Sequence, residues 1–165
     1  INETLEKNIE DTLYSSNLME NVNYSSIDAD GKEYIITALK GEIDYANPNI
    51  IYLNNVKAEI KLKNSDNIII VSDFGKYNTD NFDTIFSKNV IVEYLENKIT
   101  GEYLDFSIVQ NRMIISKNVI YTNIENILNA DVMEMDINTK DTKIFMYENN
   151  AKVNIKNKNY SNGSN

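Results

Sequence analysis

A degenerate repeat covers most of this chain and constrains its architecture more than any single motif does. The string Ser-Lys-Asn-Val-Ile occurs at residues 87–91 and recurs 29 residues later at 116–120. In three successive copies, a small residue precedes the asparagine of an Asn-Val pair by 17 positions. A fourth, more divergent copy follows, so that the copies begin at Ile36, Ile70, Ile99 and Leu128. One supersecondary unit is therefore used about four times, and successive units must stack to bury their apolar faces.

Composition excludes several classes of function. With 165 residues the chain forms one domain, which can bury roughly 70% of its unfolded surface. The net charge of −9 argues against a nucleic-acid partner, because phosphate neutralisation requires a basic surface. The absence of Cys and His removes disulfides, thiolate metal sites and the usual general base. No run of 18 or more apolar residues is present, so no segment reads as a membrane-spanning helix.

Three regions are predicted along the chain. Residues 1–22 form a lead-in segment, either a linker or a short helix, because their apolar residues share only one weak helical face: Leu5, Ile9 and Leu13. Residues 23–157 form the β domain, in which apolar and polar residues alternate with period two. Residues 158–165 have turn-forming composition and form a flexible tail.

Alternation and turn spacing predict an all-β protein of many short strands. Turn sequences such as Asp30-Gly31 and 47–49 recur at intervals of 10 to 17 residues. Each unit is predicted to contain a strand, a turn, a second strand and a third strand leading into the next unit. The small residues before the turns, and two glycines, suit tight corners of a sheet: Ala38, Ser72, Gly101, Ala130, Gly41 and Gly75.

Carboxylates are the candidate catalytic or metal-binding groups. They cluster twice in the sequence, at Asp28, Asp30, Glu33, Glu42 and Asp44 and again at Asp131, Glu134 and Asp136. These acids fall on turns or on the polar phase of strands, where a solvated carboxylate cannot serve as the raised-pKa acid of a glycosidase. Asp30-Gly31 is read as a hairpin turn and not as a Ca²⁺ loop. No catalytic residue, metal or cofactor is predicted.

The interior leaves two readings open. A stack of strands whose inner face is rich in Ile, Val, Tyr and Phe can close into a packed core. If the two layers stay splayed apart, the same residues line an apolar groove that accepts a lipid. Composition alone does not separate these readings.

The order and spacing of the motifs resemble the periplasmic domain of the LptC family of lipopolysaccharide export proteins. That family carries a Gly-x-x-Tyr-x-Ile-x-Ala strand, then an apolar-Leu-x-x-Val-x-Ala strand, then a unit with a Gly and an Asn-Val pair. The matching positions here are Gly31, Tyr34, Ile36 and Ala38, then Leu53, Val56 and Ala58, then Gly75, Asn89 and Val90. The likeness covers residues 28–156.

The resemblance implies a twisted antiparallel β-jellyroll, built from about four repeats and open along an apolar groove. It implies a non-catalytic conduit that takes lipopolysaccharide acyl chains from the inner-membrane ABC transporter and passes them to a periplasmic bridge. The transporter's jellyroll domains would meet the N-terminal edge, and an LptA-like bridge protein would meet the C-terminal edge. The domain would be periplasmic and held at the inner membrane by an N-terminal helix outside this chain. Exposed strand edges would also allow edge-to-edge pairing of copies.

Alternation predicts which residues face the interior and contact lipid. This inward set consists of Tyr34, Ile36, Ala38, Ile51, Leu53, Val56, Ile60, Ile68, Ile70, Ile85, Val90, Val92, Phe106, Ile114, Val119 and Tyr121. The last strand, around 144–155, is the candidate partner edge, with Ile144, Met146, Val153 and Ile155.

Three other functions stay open from sequence. The chain resembles the related LptA bridge proteins, which carry their own Asn-Val repeat. A structural or adhesive β-helix would show parallel strands with stacked asparagines at Asn55, Asn89 and Asn118. A glycan-active enzyme would need two carboxylates converging in a cleft.

Overall fold

The fold is a single open antiparallel sheet. The computed structural model describes residues 17–147 and 153–158, and these contain ten strands and no α-helix. The eight long strands are hydrogen-bonded in sequence order, and the two short ones both pair with β8. The strands are β1 Leu18–Ile27, β2 Glu33–Ile43, β3 Ile50–Lys61, β4 Ile68–Asn78, β5 Thr84–Tyr94, β6 Asn97–Ser107, β7 Arg112–Thr122, β8 Asn126–Asp136, β9 Thr142–Phe145 and β10 Asn154–Asn157.

Each sequence repeat is one antiparallel hairpin. The first three copies correspond to β2–β3, β4–β5 and β6–β7, and the fourth begins in β8 and ends in β10, with residues 148–152 outside the described part of the chain. The unit therefore contains two strands and not the three that the sequence predicted. Every pairing is antiparallel, which overturns the β-helix alternative because that fold requires parallel ladders.

The Asn-Val pairs mark a bend in every second strand. The asparagine adopts a positive φ in each of them, with values of 52° at Asn21, 53° at Asn55, 51° at Asn89 and 55° at Asn118. Asparagine is one of the few non-glycine residues that tolerate this conformation. The valine that follows is at least 93% buried in all four strands. The pair at 21–22 is a further copy of the motif, which the sequence analysis did not identify.

The predicted small residues lie on the same bend line. The bend valines pair directly with them across the sheet: Val22 with Ala38, Ala38 with Val56, Val56 with Ser72, Val90 with Gly101, and Val119 with Ala130. Gly101 shows why they must be small, because a Cβ there would lie 2.8 Å from Ile115 Cγ1. Large and small side chains thus alternate along the line, which lets the strands turn a corner.

The bend folds the two halves of the sheet face to face. Tyr34 lies in the first half of β2 and Phe106 in the second half of β6, and their ring centroids are 4.8 Å apart. Since β2 and β6 are not neighbours in the sheet, this contact requires the sheet to close on itself. The core lies between the two halves, in agreement with the predicted jellyroll.

The predicted domain boundary at residue 23 is too late. β1 begins at Leu18 and pairs with β2 from that residue on, so part of the predicted lead-in segment belongs to the sheet. The helical signal at Leu5, Ile9 and Leu13 lies outside the described residues, as does the tail after residue 158. Within residues 17–147 and 153–158 no helix is long and apolar enough to cross a membrane.

Candidate functional site: an apolar cavity beside a closed core

Toward the N-terminal strands the interior holds a cluster of buried side chains that contact one another. We call the cluster of Tyr34, Tyr77, Thr84 and Phe106 the closed core. The Tyr34 hydroxyl donates to Thr84 Oγ1 at 2.8 Å, and Thr84 in turn donates to the carbonyl of Phe82 at 3.1 Å. The Tyr34 ring also lies 6.4 Å from that of Tyr77. Burial raises the pKa of Tyr34, and burial raises the pKa of Tyr77 to about 12, so both hydroxyls stay neutral.

The interior is not filled toward the C-terminal strands. A cavity of about 310 Å³ lies there between two walls. One wall consists of the first halves of β4, β6 and β8 with the second halves of β5 and β7, and the other consists of the first half of β7, the second half of β8 and β9. We call it the C-terminal cavity. Its lining is mostly aliphatic side chains and methionines, and it consists of Ile68, Val92, Tyr94, Asn97, Ile99, Met113, Tyr121, Leu128, Met133, Met135, Lys140, Thr142 and Ile144.

Two polar side chains in this apolar lining, Tyr121 and Asn97, are hydrogen-bonded to each other. The Tyr121 hydroxyl donates to Asn97 Oδ1 at 2.6 Å and accepts from Asn123 Nδ2 at 3.2 Å. Because these groups satisfy one another, they do not require water or a polar ligand in the cavity. The remaining surface offers mainly van der Waals contact, and it suits a hydrocarbon chain.

The turn between β8 and β9 closes one end of the sandwich through Lys32. This lysine is only 4% exposed, and its Nζ donates to Asn111 Oδ1, to Asn138 Oδ1 at 2.8 Å and to Asp28 Oδ2 at 3.1 Å. Its three donors link the β1–β2, β6–β7 and β8–β9 turns. Lys140 in the last of these turns reaches the cavity, with Nζ 5.2 Å from the ring centroid of Tyr94.

A profile of the family described as lipopolysaccharide-assembly, LptC-related matches residues 2–154. The chain belongs to the LptC-related family. Membership gives it a role in lipopolysaccharide transport, and proteins of this family and of the LptA-like one are not known enzymes.

The sheet also resembles a solved relative of the bridge proteins. The crystal structure of LptH from Pseudomonas aeruginosa is described as that of the LptA homologous periplasmic component of the conserved lipopolysaccharide transport device. It superposes with a TM-score of 0.57 and 11% sequence identity, over 74% of this chain and 92% of LptH. At this identity the likeness establishes the jellyroll fold and nothing finer. A search of curated protein sequences gave no significant match.

The predicted inward set divides into three groups. Ile68, Val92 and Tyr121 line the C-terminal cavity. Eleven others are buried elsewhere between the sheet halves: Tyr34, Ile36, Ala38, Ile51, Leu53, Val56, Ile60, Ile70, Val90, Phe106 and Val119. These eleven face inward as predicted but do not line the cavity.

Ile85 and Ile114 were placed on the wrong face. Each is half-buried and precedes a fully buried residue, Phe86 or Ile115. Phe86 pairs across the sheet with Gly75, which also faces the interior. In each strand two large apolar residues adjoin, and alternation alone does not indicate which of them points inward.

The predicted partner edge is an interrupted strand. β9 pairs with the second half of β8 and β10 with its first half, so together they form the C-terminal edge of the sheet. Ile144 lines the cavity from β9, while Met146 and Val153 are half-buried against the core. Ile155 in β10 is 61% exposed. The edge is thus partly a cavity wall, which the sequence analysis did not predict.

Sequence reasoning missed most of the cavity lining. The lining residues that were predicted neither as lipid contacts nor as part of the partner edge are Tyr94, Asn97, Ile99, Met113, Leu128, Met133, Met135, Lys140 and Thr142. The sequence does contain an indication of the cavity, because four of the five methionines lie at or beyond Met113. Methionine is flexible and is frequent at surfaces that adapt to varied apolar ligands.

The carboxylate clusters do not form an acid–base site. Asp44 accepts a hydrogen bond from the backbone N–H of Ala46, and Asp136 accepts one from that of Thr139, and these bonds lower the pKa of both carboxyls. A glycosidase acid needs the opposite shift. Asp28 organises the predicted hairpin turn, where Gly31 has a φ of 81°. Across residues 17–147 and 153–158, no three acidic side chains converge as a metal site would require.

Proposed function

We propose that this domain is a non-catalytic conduit that holds a lipopolysaccharide acyl chain in the C-terminal cavity. The cavity itself supports this, since an apolar space between two sheet halves is found in a member of a lipopolysaccharide-assembly family. Each methylene transferred from water into such a space gains about 0.8 kcal/mol. Binding therefore requires no covalent chemistry, and the carboxylates are not needed for it.

The volume limits how much of the lipid enters. A cavity of about 150 Å³ accommodates one benzene ring, so 310 Å³ suits a single alkyl chain of roughly twelve carbons. A lipid with several chains would occupy more space than this state of the sheet provides. Entry of further chains requires β9, which lines the cavity through Thr142 and Ile144, to move away from the opposite wall.

The two edges of the sheet are the proposed contact sites for partners. Within the described residues β1 pairs with β2 alone, and β9 and β10 pair with β8 alone. Unpaired backbone groups on such strands can be extended by a strand from another protein. In our proposal, β1 faces the jellyroll domains of the inner-membrane ABC transporter and the β9–β10 edge faces an LptA-like bridge protein. The domain then lies in the periplasm, held by a helix that precedes it.

A second candidate is a bridge protein of the LptA type. It is favoured by one observation, the structural likeness to LptH. A bridge protein would join copies of itself edge to edge, whereas the conduit would bind a different partner at each edge. Light scattering of the purified domain with and without an LptA-type partner separates the two, because only a bridge protein forms long homo-oligomers alone.

Photo-crosslinking tests the proposed lipid site. A benzoylphenylalanine replaces Tyr121, which lines the cavity, or Tyr103, a half-buried aromatic on the outer face of β6. Both are tyrosines in central strands, so the replacement is comparable in size and in exposure. On irradiation with lipopolysaccharide, the variant at 121 should form adducts and the one at 103 should not. Equal labelling at both positions would show that the lipid does not occupy the cavity.

A further inference from the structure

A polar vestibule adjoins the apolar cavity. It is lined by Lys32, Lys63 and Lys140, with Asp30 as the acidic member, and it shares Tyr94 and Lys140 with the cavity. Three ammonium groups and one carboxylate at a single opening stand out in a chain whose net charge is −9. Hydrocarbon lining and positive charge thus meet at one boundary.

Only some of these lysines are available to a ligand. Lys32 already donates to three oxygens, at Asp28, Asn111 and Asn138, and has no proton left to give. Lys63 is exposed, on the β3–β4 turn. Lys140 is half-buried at the boundary, where its Nζ donates to the carbonyl of Ile137 and lies over the ring of Tyr94.

Lys140 lacks the counter-ion that a half-buried ammonium normally has. Among residues 17–147 and 153–158, no carboxylate forms an ion pair with Lys140, whereas Lys32 pairs with Asp28 and Lys61 with Glu33. Burial lowers the pKa of Lys140, which the charge of Asp136 opposes and that of Lys32 reinforces. Burying an ammonium is unfavourable unless an anion compensates for the lost hydration. An anionic group arriving at the cavity mouth would supply that compensation.

Extending the proposed function, we propose that Lys140 selects acyl chains that carry an anionic head group, a phosphate or a carboxylate. The chain enters the C-terminal cavity, and the anion rests in the vestibule within hydrogen-bonding distance of Lys140 Nζ. Lys140 retains two N–H donors after its bond to Ile137, which is enough to hold a phosphate or carboxylate oxygen. Lys63 adds charge from the exposed side. The ligand is thereby oriented with its head toward the β8–β9 turn.

Twelve-carbon amphiphiles with different heads test this assignment. Dodecyl phosphate, dodecanoate and the neutral dodecyl maltoside are titrated by calorimetry below their critical micelle concentrations. Lys140→Met is compared with Lys143→Met, which removes the same charge from an exposed position on the side of β9 that faces away from the cavity. Lys140→Met should bind dodecyl phosphate and dodecanoate about tenfold more weakly. Its affinity for dodecyl maltoside, and the affinity of Lys143→Met for all three, should stay at the wild-type value.

Two further measurements keep the test independent of folding. Lys140→Arg should retain the preference for anionic heads, and added salt should weaken binding of dodecyl phosphate to the wild-type protein but not binding of dodecyl maltoside. If the wild-type protein binds none of the amphiphiles, the proposed function fails together with this proposal. If Lys140→Met binds the anionic probes as wild type does, or loses the neutral probe equally, Lys140 does not select charge and only this proposal is overturned.

Discussion

The closed core and the C-terminal cavity are built from the same hairpin repeat but are filled differently. Corresponding positions can be counted from the small residue at each bend. Five residues after it stand Ile43, Tyr77, Phe106 and Met135, and four residues before it stand Tyr34, Ile68, Asn97 and Asn126. Aromatic side chains from the earlier copies meet across the sheet halves. In the last copies, methionine and asparagine occupy the corresponding places and leave 310 Å³ open.

The two regions differ in side-chain volume and also in the backbone of the last copy, where two short strands take the place of one long strand. The first three copies bend at the same line, at Asn55, Asn89 and Asn118, and every long strand from β1 to β8 pairs with its neighbours in the same antiparallel way. The N-terminal part therefore supplies most of the packing. The C-terminal part, bounded by two strands of four residues each, is free to keep an unfilled interior.

Truncating one side chain in the closed core and one in the C-terminal cavity should give the largest difference in unfolding free energy between the two regions. Phe106→Ala removes a ring that is completely buried against Tyr34 and should cost about 3–5 kcal/mol of unfolding free energy. Met135→Ala lies in a half-buried cavity wall and should cost far less, because few neighbours lose contact. Urea unfolding followed by circular dichroism measures both. Similar losses at the two positions would mean that the cavity region is packed as tightly as the core.

The bends were the part of this architecture most accessible from sequence. Asn-Val pairs and small residues are local signals, because a positive φ selects asparagine and a crowded corner selects a residue with little or no side chain. The sequence analysis read only the small residues as corner positions, and it did not predict that the Asn-Val pairs lie on the same bend. Of the sixteen residues that alternation predicted to face inward, fourteen do so, and the prediction failed where Phe86 and Ile115 adjoin the isoleucines at 85 and 114.

The cavity could not be predicted from local sequence patterns. Whether Tyr34 meets Phe106, or Ile99 faces Met133 across a gap, depends on residues far apart in the chain that no local pattern connects. The volume of the cavity depends on all of these long-range contacts together. Lys140 was missed for a related reason, since its position over Tyr94 follows from how the β8–β9 turn packs on a distant strand end.

Alkaline pH should lower the unfolding free energy through the buried tyrosines of the closed core. Burial raises the pKa of Tyr77 from 10.0 to about 12 and raises that of Tyr34 as well. The folded state thus holds protons that the unfolded state releases, so stability is complete below pH 10 and should fall by about 2 kcal/mol for Tyr77 between pH 10 and 12. Urea unfolding across this range measures it. Tyr77→Phe should flatten the decline, and a decline of unchanged size in this variant would show that the Tyr77 hydroxyl is not its cause.

A larger side chain in the lining of the C-terminal cavity should fill it as the aromatic rings fill the closed core. Met135 occupies the repeat position held by Tyr77 and Phe106, so Met135→Phe introduces there the type of side chain that closes the core. A ring in the cavity displaces about two methylenes of a bound chain, which corresponds to about a tenfold loss of affinity for dodecyl amphiphiles at about 0.8 kcal/mol each.

The matched control is Ile114→Phe, an equally large ring added on the outer face of β7, which should leave affinity unchanged. Stability separates the two possible causes of weaker binding. Overpacking a filled site costs about 1–3 kcal/mol, whereas a ring that enters empty space should leave the urea midpoint near that of the wild type. Weaker binding with an unchanged midpoint would show that the cavity is the lipid site. Unchanged binding to Met135→Phe would place the acyl chain elsewhere on the sheet.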